Sequence, residues 1–330
     1  FIEEKELINN VKYSCYEFEF NDQLNIDPPC HCYPKIPDNI NIFSNKIINF
    51  PNLYYAIIKN INLVGPCGVI IDKSNNIISK TDQLGLTILN KSNPKSFMYH
   101  KNLSTEVLDE YACKFVSPYL NSYSTNYFHW ISECLLSLHI IERFTLNTGI
   151  KPKLIINANP TQYQIDSLEL LGYTKKDLIQ WKYSKLNICK LVYPSRSQLL
   201  IKNSDIPFPS SIHWLRKRYN KNIQIKSNSS SQNIFITRQN SIGRKIKNYD
   251  EVLNTLTDYG FIPYSLEKLS FEQQINLFYN ARNIIGSHGA GLMNIIFNNT
   301  NNCSVIEIFN SVPKHYNMYF LISNILNINY

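Results

Sequence analysis

Ile284-Ile-Gly-Ser-His-Gly-Ala-Gly-Leu-Met-Asn-Ile-Ile-Phe297 reads as a short apolar strand, a glycine-rich turn and an apolar helix. A helix that starts on glycines presents unpaired backbone N–H groups and a partial positive charge, which together suit a phosphate. No Cβ stands between that backbone and a ligand. His288 lies inside the turn, where its ring can donate a hydrogen bond to the same anion. The pattern is neither Gly-x-Gly-x-x-Gly nor a P-loop, since no Gly-Lys-Ser/Thr follows. By themselves these residues leave two readings open, phosphate binding and ordinary turn chemistry. With only 10 glycines in 330 residues, the group Gly286, Gly289 and Gly291 stands out from the background.

The pattern around the turn is α/β. Upstream come a strand at 233–237, a helix at 250–259 closed by Gly260, a strand at 261–264 and a helix at 271–279. Downstream come a strand at 304–309 and an amphipathic helix at 316–327. The first half alternates in the same way. Strands are expected at 53–64, 68–71, 153–156 and 191–193, and helices at 126–144 and 163–171. In the longer helix Phe128, Ile131, Leu135, Leu138 and Ile141 recur at spacings of three and four. Such alternation favours parallel sheets flanked by helices. Residues 1–50, with Pro28-Pro29, Pro34 and Pro37, read as irregular. Pro207 and Pro209 mark a boundary, which divides the chain into 1–210, 211–311 and a terminal helix in 312–330.

The net charge of +8 is local. Residues 216–247 hold nine Lys/Arg and no Asp or Glu, and without them the chain carries −1. A stripe of this kind suggests an anionic ligand, where a whole-surface field would have suggested nucleic acid. Arg216, Lys217 and Arg218 read as a solvated helix face. Eight cysteines form no Cys-x-x-Cys pair, and Cys30-His31-Cys32 has no second pair to complete a zinc site. Five Asn-x-Ser/Thr sequons, at Asn90, Asn102, Asn228, Asn298 and Asn302, are what an asparagine-rich chain supplies by chance. A reducing, cytoplasmic compartment is expected, with the ER or Golgi lumen as the alternative if an anchor precedes Phe1. No apolar run is long enough to span a membrane.

Ligands of α/β units bind beyond the carboxyl ends of strands, near the topological switch point. Arg238 follows one such strand, His288 another, and Glu307 lies on a third. Arg238 and Arg244 offer guanidinium forks that match the closely spaced oxygens of a diphosphate, although two surface arginines are the plainer reading. In Asn126-Tyr-Phe-His129-Trp-Ile-Ser-Glu133, His129 and Glu133 share a helix face. They are either a general base with its partner or a structural hydrogen-bonded pair. No Asp-x-Asp and no Gly-x-Ser-x-Gly occurs. His100, His139, His213 and His315 read as structural or surface residues.

Three ordered motifs together resemble glycosyltransferase family 61. They are Asn126 to Glu133; Ile236-Thr-Arg238 with Arg244 and Asn248-x-Asp-Glu251; and Gly286-Ser-His-Gly-Ala-Gly-Leu292 followed by Val305-Ile-Glu-Ile-Phe309. The resemblance covers roughly 120–310. It implies a GT-B fold, two Rossmann-like domains facing across a cleft. Residues 1–210 would then hold the acceptor side, 211–311 the nucleotide sugar, and 312–330 a helix packing back on the first domain. It further implies inverting transfer from a UDP-sugar, most often of N-acetylglucosamine or xylose, to a hydroxyl of a glycan or glycoprotein. No obligatory metal and no cofactor are expected. Carried over residue by residue, Arg238, Arg244, Ser287, His288, Gly289, Ala290 and Gly291 would surround the diphosphate. Glu307 would reach the ribose or be a buried structural glutamate. Glu133, oriented by His129, would activate the acceptor. Two other classes stay open: a catalytically inactive nucleotide-sugar-binding protein, against which His129 and Glu133 argue, and a nucleic-acid-binding protein using the 216–247 stripe, which lacks a recognisable motif.

Overall fold

The structure, a computed structural model, describes residues 14–33, 35–65, 68–73, 78, 105–115, 125–181, 185–202, 204–223, 232–239, 245–299, 302–309 and 317–330. The chain forms two compact units. One takes Phe1–Phe20 and Asn52–Ser197, the other Asn21–Pro51 and Gln198–Tyr330. The sequence reading divides the chain near 210 and again near 311; the chain passes between the units three times. The extra crossings come from 21–51, read as irregular because of its prolines. It holds β2 (Gln23–Ile26), a short helix α1 (Asp38–Asn41) and β3 (Lys46–Asn49). β2 and β3 pair antiparallel, and alternating burial places Leu24 and Ile26 in the core of the second unit.

The first unit carries β1 (Ser14–Phe18), β4 (Leu53–Val64), β5 (Val69–Ile71), β6 (Thr105–Lys114), β7 (Lys153–Asn157), β8 (Leu178–Trp181) and β9 (Lys185–Pro194). They form one sheet in the order β1-β4-β9-β6-β7-β8, with β5 on β4. β9, β6, β7 and β8 run parallel, while β1, β4 and β5 are antiparallel. β8 and most of β9 escape the sequence reading, because their apolar residues alternate with polar ones such as Gln180, Asn187 and Lys190. The core is built on Ile58, Ile61, Leu63, Ile155, Ile188 and Leu191, each at most 1% exposed.

Between β6 and β7 runs one continuous helix, α2, with an α turn (Tyr127–His129), a π segment (Trp130–Leu135) and an α segment (Leu136–Thr148). Asn126 caps it by accepting from the Phe128 N–H at 2.9 Å, and Gly149 ends it in the left-handed conformation, φ 72°. The apolar stripe read from the sequence faces inward: Ile131, Leu135, Leu138 and Ile141 are buried. α3 (Gln162–Leu170) follows β7.

The second unit adds a small hairpin, β10 (Gln198–Ile201) with β11 (Ser204–Pro207), and the basic helix α4 (Pro209–Asn222). Its principal sheet is fully parallel: β12 (Gln232–Ile236), β13 (Phe261–Tyr264), β14 (Ala281–Ser287) and β15 (Ser304–Ile308), in the order β13-β12-β14-β15. α5 (Tyr249–Asp258) joins β12 to β13, and α6 (Phe271–Tyr279) joins β13 to β14. A 3-10 helix (Ala290–Phe297) joins β14 to β15. α7 (Met318–Ile325) packs on β2, β11 and the 3-10 helix, all in this same unit. The stripe Arg216–Arg218 is only partly solvated: Lys217 is exposed, whereas Arg216 turns inward and donates to the Asn298 carbonyl. Asn298, one of the five sequons, is 2% exposed and donates to the Phe278 and Ala281 carbonyls, so it offers no site for a glycan.

His139 on α2 is buried, with its ring 4.7 Å from that of Phe20. Burial, and then the charge of Arg143, lower its imidazole pKa to about 4. A folded-state value below the unfolded one means that neutral His139 is favoured on folding. The associated stability is present above about pH 6.5 and is lost as pH falls towards 4, by up to about 3 kcal/mol. Urea melts at pH 7 and pH 4.5 should therefore diverge for the wild type and diverge much less for His139→Phe. Parallel behaviour of the two proteins would reject this origin of acid sensitivity.

Candidate active site

Along the chain, β12 leads outward to β13 and the chain then returns to the other side of β12 to make β14. The switch point therefore lies between β12 and β14, where a crevice forms beyond the carboxyl ends. Ile236 pairs with Gly286 in the parallel register. Arg238 and His288 each lie two residues beyond that pair, so both leave the sheet at the switch point. A Cβ placed on Gly289 would come 1.8 Å from Arg238 Nη1, so the guanidinium lies against the bare α-carbon of the turn. Gly289 itself is extended, φ 168° and ψ 167°, a conformation open to any residue. Glycine is required there for room.

The first helical bond after the turn runs from the Leu292 N–H to the Gly289 carbonyl, 3.0 Å. The N–H groups of Gly289, Ala290 and Gly291 have no backbone acceptor among the described residues. Three successive N–H groups thus stand beside a guanidinium, an arrangement suited to an anion. Ser287, the last residue of β14, is 8% exposed. Arg244 lies outside the described residues.

His288 is held on several sides. Its Nδ1 bonds Glu307 Oε1, its ring stacks on Phe309 with centroids 5.5 Å apart, and the Tyr319 ring lies 5.5 Å away. Tyr319 also donates to the Gly289 carbonyl at 2.7 Å. The Glu307 side chain is 1% exposed, and its second oxygen accepts from the Tyr330 hydroxyl at 2.5 Å. Both of its oxygens are thus engaged, each with one donor. On the far side of Glu307 and Phe309, a cavity of about 600 Å³ is lined also by Cys30, His31, Cys32 and Lys35. No cluster of three or more His, Cys, Asp and Glu able to hold a metal ion occurs among the described residues.

The first unit has its own switch point. β6 leads through α2 to β7 on one side, and β9 lies parallel on the other. The first turns of α2 pack at the carboxyl end of β6: Trp130 meets Phe115 edge-on at 5.3 Å, and the Cys134 thiol points to the Phe115 carbonyl. His129 Nδ1 bonds Glu133 Oε1 at 2.6 Å, with the side chains 21% and 24% exposed. The pair inferred from i, i+4 spacing therefore forms, although this stretch is π-helical. Ser197, just after β9, donates to the Ser132 carbonyl at 3.2 Å and lies 3.4 Å from that of Glu133. A side chain that serves helix carbonyls in this way accounts for the widened turn, and such turns recur at functional sites.

Ser197, Phe309, Tyr319 and Tyr330 escape sequence reasoning. Each acts on a site residue distant in the chain, and only the proximity of Phe309 to Glu307 offered a signal. In the second motif, Asn248 and Glu251 bond each other at the start of α5, Nδ2 to Oε2 at 2.9 Å.

One α/β unit carries the Arg238–Gly289 contact and the other a His–carboxylate pair, each at a strand switch point. The family model Glycosyltransferase 61 matches residues 127–306, more than half of the chain. The chain belongs to glycosyltransferase family 61 and has, by that membership, a sugar donor and an acceptor as substrates. No curated protein matches it. Among the described residues, no helix is long and apolar enough to cross a membrane.

The contact at Gly289 makes a specific prediction. Gly289→Ala should keep the fold, because the atom it meets is the end of a flexible side chain. It should expel the Arg238 guanidinium from the cradle and weaken nucleoside diphosphate binding by about tenfold or more. Calorimetry together with a melting curve separates this result from simple unfolding.

Proposed function

We propose that the protein is an inverting glycosyltransferase of GT-B architecture that moves N-acetylglucosamine or xylose from a UDP-sugar to a hydroxyl of a glycan or glycoprotein. The observation that carries this reading is the Arg238 guanidinium lying on Gly289 beside three backbone N–H groups that have no backbone acceptor among the described residues. That cradle matches a diphosphate, and family membership supplies the sugar. In this reading the second unit holds the nucleotide sugar and the first unit presents the acceptor.

The reaction is a single displacement. His129 holds Glu133 Oε1, which leaves Oε2 to take the proton of the acceptor hydroxyl. The acceptor oxygen forms a bond to the anomeric carbon from the face opposite UDP. The bond from that carbon to the diphosphate oxygen breaks with its electron pair, and the configuration inverts. Negative charge grows on the leaving diphosphate, where Arg238, Arg244, His288 and the N–H groups of Gly289, Ala290 and Gly291 stabilise it. No Asp-x-Asp is present, and arginine supplies the neutralising charge that a metal would otherwise bring. Acceptance of the departing charge by fixed donors is the largest contribution expected from the second unit.

UDP release from a panel of UDP-sugars, with and without EDTA, tests the donor class and the metal independence together. Turnover that disappears in EDTA and returns with manganese overturns the metal-free mechanism. Arg238→Ala should weaken UDP binding by about 2 kcal/mol, the scale of a lost charge-assisted contact. Wild-type affinity in that variant would remove the diphosphate from the cradle.

Glu133→Gln retains shape and removes basicity. It should lower kcat by roughly 10²–10⁴ with little change in UDP affinity. His129→Ala should also impair turnover. An active Glu133→Gln enzyme would move the base to another group.

A further inference from the structure

Glu307 is an unusual residue to bury. Its side chain is 1% exposed, and the groups that engage it are His288 Nδ1 and the Tyr330 hydroxyl. A buried carboxylate is costly unless its oxygens are met by donors. Tyr330 is brought to it by the chain following α7. Asn329 bridges in parallel to Ser304, its carbonyl accepts from the Val305 N–H at 2.8 Å, and its own N–H donates to the Cys303 carbonyl. The Tyr330 carbonyl accepts from the Cys30 N–H at 2.7 Å, and its ring packs edge-on against Phe320. Burial, and then Glu307, raise the Tyr330 phenol pKa well above its usual value, so it acts as a neutral donor.

We propose that Tyr330 is a positioning residue: by donating to Glu307 Oε2 it fixes Glu307 Oε1 against His288 Nδ1, which sets the tautomer and ring orientation of His288. With Nδ1–H committed to the carboxylate, a ligand in the glycine turn would meet His288 through Nε2, which donates to an anion only when the ring holds both protons. This is the orienting arrangement by which an outer carboxylate and its own hydrogen-bond donor tune an imidazole. It rests on the reading of that turn as the diphosphate site only for the identity of the ligand. Tyr319 and Phe309 hold the ring faces, so the position of His288 depends on two tyrosines from residues 317–330. The titratable and charged groups around the dyad are Tyr319 on α7, Tyr330, and Cys30, His31, Cys32 and Lys35 in the cavity that Glu307 lines, with Arg238, which follows β12, lying against Gly289.

Imidazole NMR of the whole protein labelled in its histidine nitrogens tests the proposal without any ligand, with His288→Gln used for assignment. Neutral wild-type His288 is expected as the Nδ1–H tautomer. Tyr330→Phe keeps the ring packed on Phe320 and removes only the donor. That loss should move the His288 Nδ1 and Nε2 resonances away from their wild-type positions, and Glu307→Gln, which replaces the carboxylate acceptor, should move them further. A merely structural Tyr330 would change the melting temperature and leave the His288 resonances of Tyr330→Phe where the wild type has them. An Nε2–H tautomer in the wild type, or His288 resonances in Tyr330→Phe that superimpose on those of the wild type, overturns the proposal. UDP calorimetry then separates the two readings: Tyr330→Phe, by loosening the ring, should weaken binding roughly tenfold. A wild type that shows the Nδ1–H tautomer and the shift in Tyr330→Phe but binds no UDP rejects the diphosphate assignment and leaves the positioning role standing.

Discussion

The second unit depends on places where an added Cβ would crowd its neighbours. A Cβ on Gly286 would lie 3.2 Å from that of Ile236, one on Gly291 2.8 Å from Leu266 Cδ1, and one on Gly289 1.8 Å from the Arg238 guanidinium. The first absence lets β14 lie close beside β12, the second lets the 3-10 helix settle on the loop after β13, and the third lets a charge rest on the turn. Interiors are packed so densely that a single added methyl requires a neighbour to move. These three glycines therefore do more than permit a turn. They bring strand, helix and cation to one point at the switch of the sheet.

The two units each carry a histidine whose Nδ1 bonds a carboxylate, and exposure separates their roles. The Glu307 side chain is 1% exposed with both oxygens engaged, which suits an orienting group. The Glu133 side chain is 24% exposed with one oxygen held by His129, which suits exchange of a proton with a ligand. On the proposed mechanism, one pairing chemistry would serve positioning where water is excluded and acid–base work where water and substrate can enter. The basic stripe divides in a similar way. Arg238 lies in the cradle, whereas Arg216 serves the Asn298 carbonyl after the 3-10 helix. The charge of a segment indicates that an anion is expected, but not which of its arginines will meet it.

Much of this was legible beforehand where the physics is local. The periodicity of α2, the strand-turn-helix at Gly286–Phe297 and the i, i+4 pair His129–Glu133 each depend on residues within a few positions of one another. The irregular reading of 21–51 failed because strands of four residues, interrupted by Pro28-Pro29, carry too little pattern to register; β2 and β3 exist because their alternate residues reach a core supplied by distant segments. β8 and β9 were underread for the complementary reason. Mixed polar and apolar residues look like loop until neighbouring parallel strands satisfy their backbone.

By itself the sequence determined the α/β class, the glycine turn, the helix that carries His129 and Glu133, and membership of the glycosyltransferase family, since each is written in short-range spacing or in ordered motifs. Tertiary structure alone decided that β12 and β14 flank the switch point, which brings Arg238 to Gly289, and that Glu307 is shared between His288 and Tyr330. It also decided the π turn at Trp130–Leu135, which Ser197 meets from 64 and 65 residues away. Sheet order and the burial of a carboxylate are set by which surfaces exclude water once the chain has closed on itself. No short window of residues records that outcome.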